Sequence, residues 1–420
     1  MIKKDKLLAI LAVGVQYIGM LVLFKLLASK LDNTTFAEYM LFIAAANLLL
    51  GLPFTAVQQA IIRFAPGMGK EHSQQVMAIA VSQAIIAVLF IMLLITLLQF
   101  IPSLASLMHS YHAMAALAFT SSEAIKLYVL AYENALQNRK SYLCLTFFEY
   151  ASKVSLTAIL LIFNFANLLH LVFILITCNV LVVLYSVKIG GFEWSINGIL
   201  SQLRTKLSLQ ILLFSLPVAC WSIFGWLRDM SGRYIIEALL TKQDVAAFSV
   251  LATLTSLIPG FVNSVVGNYY IPIVYANHNS GKRAVEKSIN TIVLAMFIFS
   301  ALAIVIIVFM SDFFVATASS AKYEFVAQYL PYTLVAYFAF CIAMIATTEL
   351  YAKGAVNCLF LPNIISGILG SLAFYFFISK YGFNGAIGGY VVSYISYALS
   401  VFLLLFYSRL SKQSMALKRS

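Results

Sequence analysis

The stretch Leu31-Asp32-Asn33-Thr34-Thr35-Phe36-Ala37-Glu38-Tyr39 recurs, without a gap and 209 residues further on, as Leu240-Thr241-Lys242-Gln243-Asp244-Val245-Ala246-Ala247-Phe248. The same offset carries Gly51 onto Gly260. Each copy is a short polar break between two long apolar runs. Two equal halves in one orientation, each crossing a membrane several times, are a recurring transporter architecture with the substrate held between the halves.

The rest of the chain has the composition this reading needs. Of 420 residues, 62% are hydrophobic and only 10% charged, with a mean hydropathy of +0.95. Soluble domains are about a quarter charged, so this chain has too little polar surface to cover itself in water. A spanning helix takes about 20 apolar residues, and such runs predict helices at 7–31, 36–62, 76–100, 112–134, 142–164, 167–188, 208–240, 245–271, 287–310, 327–350, 356–379 and 384–407. The expected fold is an all-α membrane protein of about twelve transmembrane helices, in two six-helix repeats around a central cavity. The lobes are 1–188 and 208–420, joined by a cytoplasmic loop over 189–207. Lys3, Lys4 and Lys6 imitate the start of a signal peptide. The run behind them is long and lacks a small-residue cleavage site, so a retained first helix is expected.

A net charge of +12 could suggest nucleic acid, but the basic residues sit in short clusters between apolar runs. That is the pattern of membrane orientation. Lys3, Lys4, Lys6, Arg63, Lys70, Arg139, Lys140, Lys188, Arg204, Lys206, Lys282, Arg283, Lys287, Lys353, Arg409, Lys412, Lys418 and Arg419 fall on one side. The smaller set Lys25, Lys30, Arg228, Arg233, Lys242, Lys322 and Lys380 falls on the other. The bias puts both termini in the cytoplasm and argues against nucleic-acid binding as the function.

Catalytic chemistry is missing from the sequence. There is no GxxxxGK[ST], HExxH, GxSxG or CxxC, and Cys144, Cys178, Cys220, Cys341 and Cys358 read as small hydrophobes. His109 and His112 fit a polar outer loop. A polymerase or ligase needs an extramembrane platform for its acid–base groups, and every outer loop is short. No metal or cofactor is implied, and transport is expected rather than catalysis.

Particular residues resemble a known family. Lys380-Tyr381-Gly382-Phe383-Asn384-Gly385-Ala386-Ile387-Gly388-Gly389-Tyr390, followed by Ser393-Tyr394, resembles the YGxxGAA…S segment before the last helix of polysaccharide flippases. The Leu31 and Leu240 elements resemble the family's LGxxxYGxY, with Ala37 and Ala246 in place of its glycine. Met230-Ser231-Gly232-Arg233-Tyr234-Ile235-Ile236 is similar to its DRxxI element, with Gly232 in place of the Asp and Asp229 as the alternative carboxylate. The chain thus resembles the Wzx-type O-antigen flippases, in the superfamily that also holds multidrug/cation antiporters and the lipid II flippase. The resemblance implies movement of an undecaprenyl-diphosphate-linked oligosaccharide to the periplasmic leaflet. Its implied partners are that substrate, membrane lipids, H+ or Na+ as coupling ion, and polysaccharide assembly proteins. A multidrug or cation antiporter is the alternative.

Charged residues within spans mark the candidate sites, because such charges usually face a cavity or a substrate path. Lys25, Arg233, Arg228 and Arg63 are the candidate substrate-binding cations for a diphosphate and acidic sugars. Lys25 and Arg233 are expected to face the space between the halves, and snorkelling to the interface is the alternative. Glu349 reads as an interfacial carboxylate. Glu123, Lys126, Glu149 and Lys153 lie mid-span on the fourth and fifth helices, whose connecting turn near Asn138 makes them antiparallel neighbours. Equal depth predicts pairing across the hairpin as Glu123–Lys153 and Lys126–Glu149. Either a structural staple or an ion-coupling network follows.

Overall fold

A computed structural model describes residues 2–66, 69–98, 110–189, 205–276, 282–352 and 356–417. It is all-helical, with no strand among the described residues, and twelve helices are long and apolar enough to cross a membrane. We number them α1 (Ile2–Lys30), α2 (Asn33–Phe64), α3 (Lys70–Leu98), α4 (Ser110–Ala135), α5 (Arg139–Ile162), α6 (Leu168–Ile189), α7 (Lys206–Leu239), α8 (Lys242–Ala276), α9 (Lys282–Ala318), α10 (Ala321–Leu350), α11 (Phe360–Tyr381) and α12 (Phe383–Leu417). The chain is a multi-pass membrane protein. Leu89, Phe90, Leu93, Phe147, Leu213, Leu302 and Phe309 are exposed, an arrangement that is unfavourable in water and suits a hydrocarbon surround.

The chain divides into two compact units, Met1–Ile223 and Phe224–Ser420, the boundary falling inside α7. Most of the connecting loop expected at 189–207, namely 190–204, lies outside the described residues, as does His109. In the first unit α5 packs against α1 and α6, while α4 packs against α2, α3 and α6. In the second, α11 and α12 form a tight hairpin, and α10 packs against α8, α9 and α12.

The repeated element is a helix start in both units. Asp32 caps α2: its side chain accepts hydrogen bonds from the backbone N–H groups of Thr34 and Thr35 and, at 2.6 Å, from the Thr35 hydroxyl. At the corresponding start of α8 the chemistry is reversed, with the Thr241 hydroxyl donating to Asp244 at 2.6 Å and the Asp244 N–H donating back to Thr241. Either order satisfies amides that a helix N-terminus otherwise leaves unpaired.

Two local features bend this frame. Gly51 and Pro53 fall in a π turn over Leu50–Thr55 within α2. Pro53 has no N–H to give, and the loosened carbonyls find other donors. Thr55 Oγ1 donates to the Leu50 carbonyl at 3.1 Å, and Ser222 of α7 donates to that of Gly51 at 3.0 Å. The second feature is a kink at Met310, where α9 was expected to stop. The helix resumes through Asp312 to Ala318.

Candidate functional site

On α4, residues 123, 126, 130 and 134 recur at helical spacing and form one stripe. On α5, residues 142, 146, 149 and 153 do the same. A tight turn sets the two stripes face to face. Gln137 takes a left-handed conformation with φ 59°, the Asn138 N–H donates to the Glu133 carbonyl at 2.9 Å, and the Arg139 guanidinium donates to the Asn134 amide oxygen.

Glu149 is the hub of the buried charges. Lys126 Nζ donates to its Oε1 at 2.5 Å and Lys153 Nζ to the same oxygen at 2.6 Å. Lys126 also donates to Glu123 Oε1 at 2.6 Å, while Lys153 Nζ stands 4.0 Å from Glu123 Oε2. The expected Lys126–Glu149 pair is present. The expected Glu123–Lys153 pair is the longest contact of the four, and two bonds run along the helices instead. The reason is reach: residues three and four apart on one helix are already neighbours, so each long lysine touches both carboxylates. The side chains of Lys126 and Glu149 are only 3% and 4% exposed, and two positive and two negative charges cancel.

Beside the quartet is a cavity of about 240 Å3 within the first unit. On α4 it runs from Glu123 past Leu127 and Leu130 to Asn134, and on α5 from Lys153 past Tyr150 and Thr146 to Tyr142. Gln16 of α1 and Gln58 of α2 complete the wall, Gln58 lying just beyond the π turn together with Ile62. The α1–α5 contact behind Tyr150 is close, since a Cβ on Gly19 would stand 2.5 Å from that side chain.

The candidate cations divide by exposure. Lys25 is exposed. Arg63 is also exposed, its guanidinium 4.7 Å from the Phe214 ring centre and 5.5 Å from that of Phe64. Arg233, expected to face open space, is instead buried in the second unit. It donates to Ser249 of α8 at 3.2 Å and to the Asp229 carbonyl of its own helix at 3.0 Å. Arg228 is buried too. Asp229 receives both ends of its guanidinium, at 2.8 and 3.1 Å, Asn363 accepts another bond, and the rings of Phe340 and Tyr397 lie at 4.5 and 5.0 Å. Asp229 therefore partners Arg228. Glu349, expected at the interface, is fully buried.

Residues 2–278 match the family model described as polysaccharide biosynthesis protein. The chain belongs to that family. No curated protein matches it in sequence. Among solved structures it is similar to the lipid II flippase MurJ in an inward closed conformation, with TM-score 0.68 and 13% identity over 95% of this chain and 87% of that one. It is also similar to an inward-facing multidrug resistance MATE family transporter of the MOP superfamily, with TM-score 0.64 and 15% identity over 99% and 96%. A MOP superfamily transporter from Pyrococcus furiosus gives TM-score 0.62 and 13% identity over 98% and 95%. At these identities the likeness is one of fold, and the fold is that of transporters and flippases.

For this polysaccharide biosynthesis family member, reading the sequence by charge located the quartet and overlooked Gln16 and Gln58. The signal was available: Gln16 follows the apolar run Leu7–Val15 and Gln58 stands with Gln59 between apolar residues, where an uncharged side chain draws less notice than a carboxylate.

Proposed function

We propose that this protein moves an undecaprenyl-diphosphate-linked oligosaccharide from the cytoplasmic to the periplasmic leaflet of a bacterial inner membrane, coupled to H+ or Na+. The observation that carries the reading is the polysaccharide family match over residues 2–278 on a transporter fold shared with a lipid II flippase. A lipid carrier with a bulky polar head needs cations that can meet its diphosphate without first breaking an internal pair. Lys25 and Arg63 meet that need, since both are exposed. Arg63 stands over the rings of Phe64 and Phe214, a cation–π setting that leaves its N–H groups for a phosphate. Arg228 and Arg233 serve the second unit's interior and position its helices.

The quartet supplies a means of coupling. Glu123 holds Lys153 at the longest distance of the set, so a proton taken up there would release Lys153 wholly to Glu149 and shift α4 against α5. The lysine partners of both carboxylates weigh against a multidrug or cation antiporter, whose cationic substrate would have to displace them. The test is restoration of surface polysaccharide in a strain lacking its own flippase. Restored export supports the reading; full membrane insertion with no export overturns it.

A further inference from the structure

The cavity of the first unit contains chemistry that the quartet does not use. Gln16 and Gln58 line it from α1 and α2, and neither side-chain amide has a hydrogen-bond partner among the described residues. Glu123 Oε2 is buried and likewise without a hydrogen bond. Unsatisfied polar groups at membrane depth are costly, so the occupant of this space is polar. The quartet's charges cancel, so a cation meets Lys126 and Lys153 while an anion meets Glu123 and Glu149. The occupant is therefore neutral. It must also donate to a carboxylate and both donate to and accept from two amides.

We infer that this cavity binds a neutral sugar, one or two rings of the transported glycan. The free hydroxyl groups of such a ring each donate and accept, and Tyr142 and Tyr150 join the lining beside Gln16 and Gln58. The volume of about 240 Å3 is that of roughly eight waters at ~30 Å3 each. The lining from Glu123 to Asn134 extends about 16 Å along α4 at 1.5 Å per residue. A slot of these dimensions accepts a short piece of glycan and not a whole oligosaccharide. The inference rests on the flippase reading, from which it takes the glycan as the source of the sugar.

The test uses the full-length protein in nanodiscs and saturation-transfer NMR with methyl glycosides as probes: glucose, galactose, mannose, a 6-deoxyhexose and N-acetylglucosamine, with methyl glucuronide as the charged control. At least one neutral glycoside should bind with millimolar affinity, and Gln58→Leu and Gln16→Leu should each weaken it about tenfold. A leucine in an apolar helix does not endanger folding, and elution in size-exclusion chromatography checks this. The glucuronide should not bind. A cavity holding water alone, seen as no neutral glycoside binding to the wild type, overturns the inference, as do equal binding of the glucuronide and undiminished binding in both variants. Polysaccharide export by the wild type without glycoside binding would reject the sugar site and keep the flippase. Glycoside binding without export would do the reverse.

Discussion

Lys126 Nζ and Glu149 Oε1 lie 2.5 Å apart across the α4–α5 hairpin, and the same carboxylate oxygen receives Lys153 at 2.6 Å. One carboxylate thus holds two buried ammoniums. Glu149→Gln should cost about 3–5 kcal/mol, the range for leaving a buried charge without its partner. Glu149→Lys should leave no folded protein. Adding Lys126→Glu to Glu149→Lys restores the cross-hairpin pair but sets like charges three and four residues apart on each helix, so rescue should be partial. Inverting all four residues should restore stability, as read by thermal unfolding monitored by size-exclusion chromatography. Full rescue by the double variant would contradict the bonding found here.

Arg228 joins Asp229, Asn363 and the Phe340 and Tyr397 rings in the second unit. Arg228→Ala should lower stability by about 3 kcal/mol, the low end for a broken buried pair, because the Asp229 side chain is 35% exposed and keeps some solvation. Arg228→Lys should fall between, since an ammonium cannot match both carboxylate oxygens at once. Thermal midpoints in detergent decide the order.

The α11–α12 hairpin turns at Gly382, with φ +58°, and closes over Gly385, where a Cβ would stand 2.0 Å from the Phe377 carbonyl oxygen. Gly385→Ala should therefore cost about 1–3 kcal/mol by forcing the helices apart. Gly14→Ala is the control: nothing lies within 4 Å of its Cβ position, and the change should be neutral or stabilise by up to ~1 kcal/mol. Equal thermal midpoints for the two would refute the packing argument.

Asp32 lies between the first two spans, and its hydrogen bond from the Thr35 hydroxyl, with help from backbone N–H groups, holds its carboxyl below the ordinary value of 3.8. A depressed folded-state value means the cap contributes fully above pH ~4, near the unfolded value, and loses its contribution as pH falls through the folded value. Asp32→Ala should cost about 0.5–2 kcal/mol at pH 7. Asp32→Asn should keep most of the cap and remove its pH dependence, measured by thermal unfolding between pH 7 and pH 3.

Lys25→Ala and Arg63→Ala should each lower polysaccharide export about tenfold at unchanged protein level, the equivalent of ~1.4 kcal/mol of lost charge-assisted hydrogen bonding. Lys25→Arg should be milder. Wild-type export from both alanine variants would leave Lys25 a snorkelling residue and Arg63 an orientation signal.

The twelve spans were legible in the sequence because crossing hydrocarbon is a condition on length and composition, which a segment carries by itself. The quartet was legible for a related reason: four charges cannot sit alone at mid-membrane, and a short turn fixes which residues share a depth. The repeat at Leu31 and Leu240 foretold the same helix start in both units, though not that Asp and Thr exchange places in the cap. What the tertiary structure alone decided is which way each side chain turns. Arg233 is buried against Ser249 of the next helix, Arg228 is held by Asn363, Phe340 and Tyr397 far along the chain, and Glu349 is buried where an interface was expected. In a soluble helix the buried face shows itself as an apolar stripe among polar residues. Here lipid is as apolar as the protein interior, so both faces of a span read alike, and only contacts between helices distinguish a buried guanidinium from an exposed one.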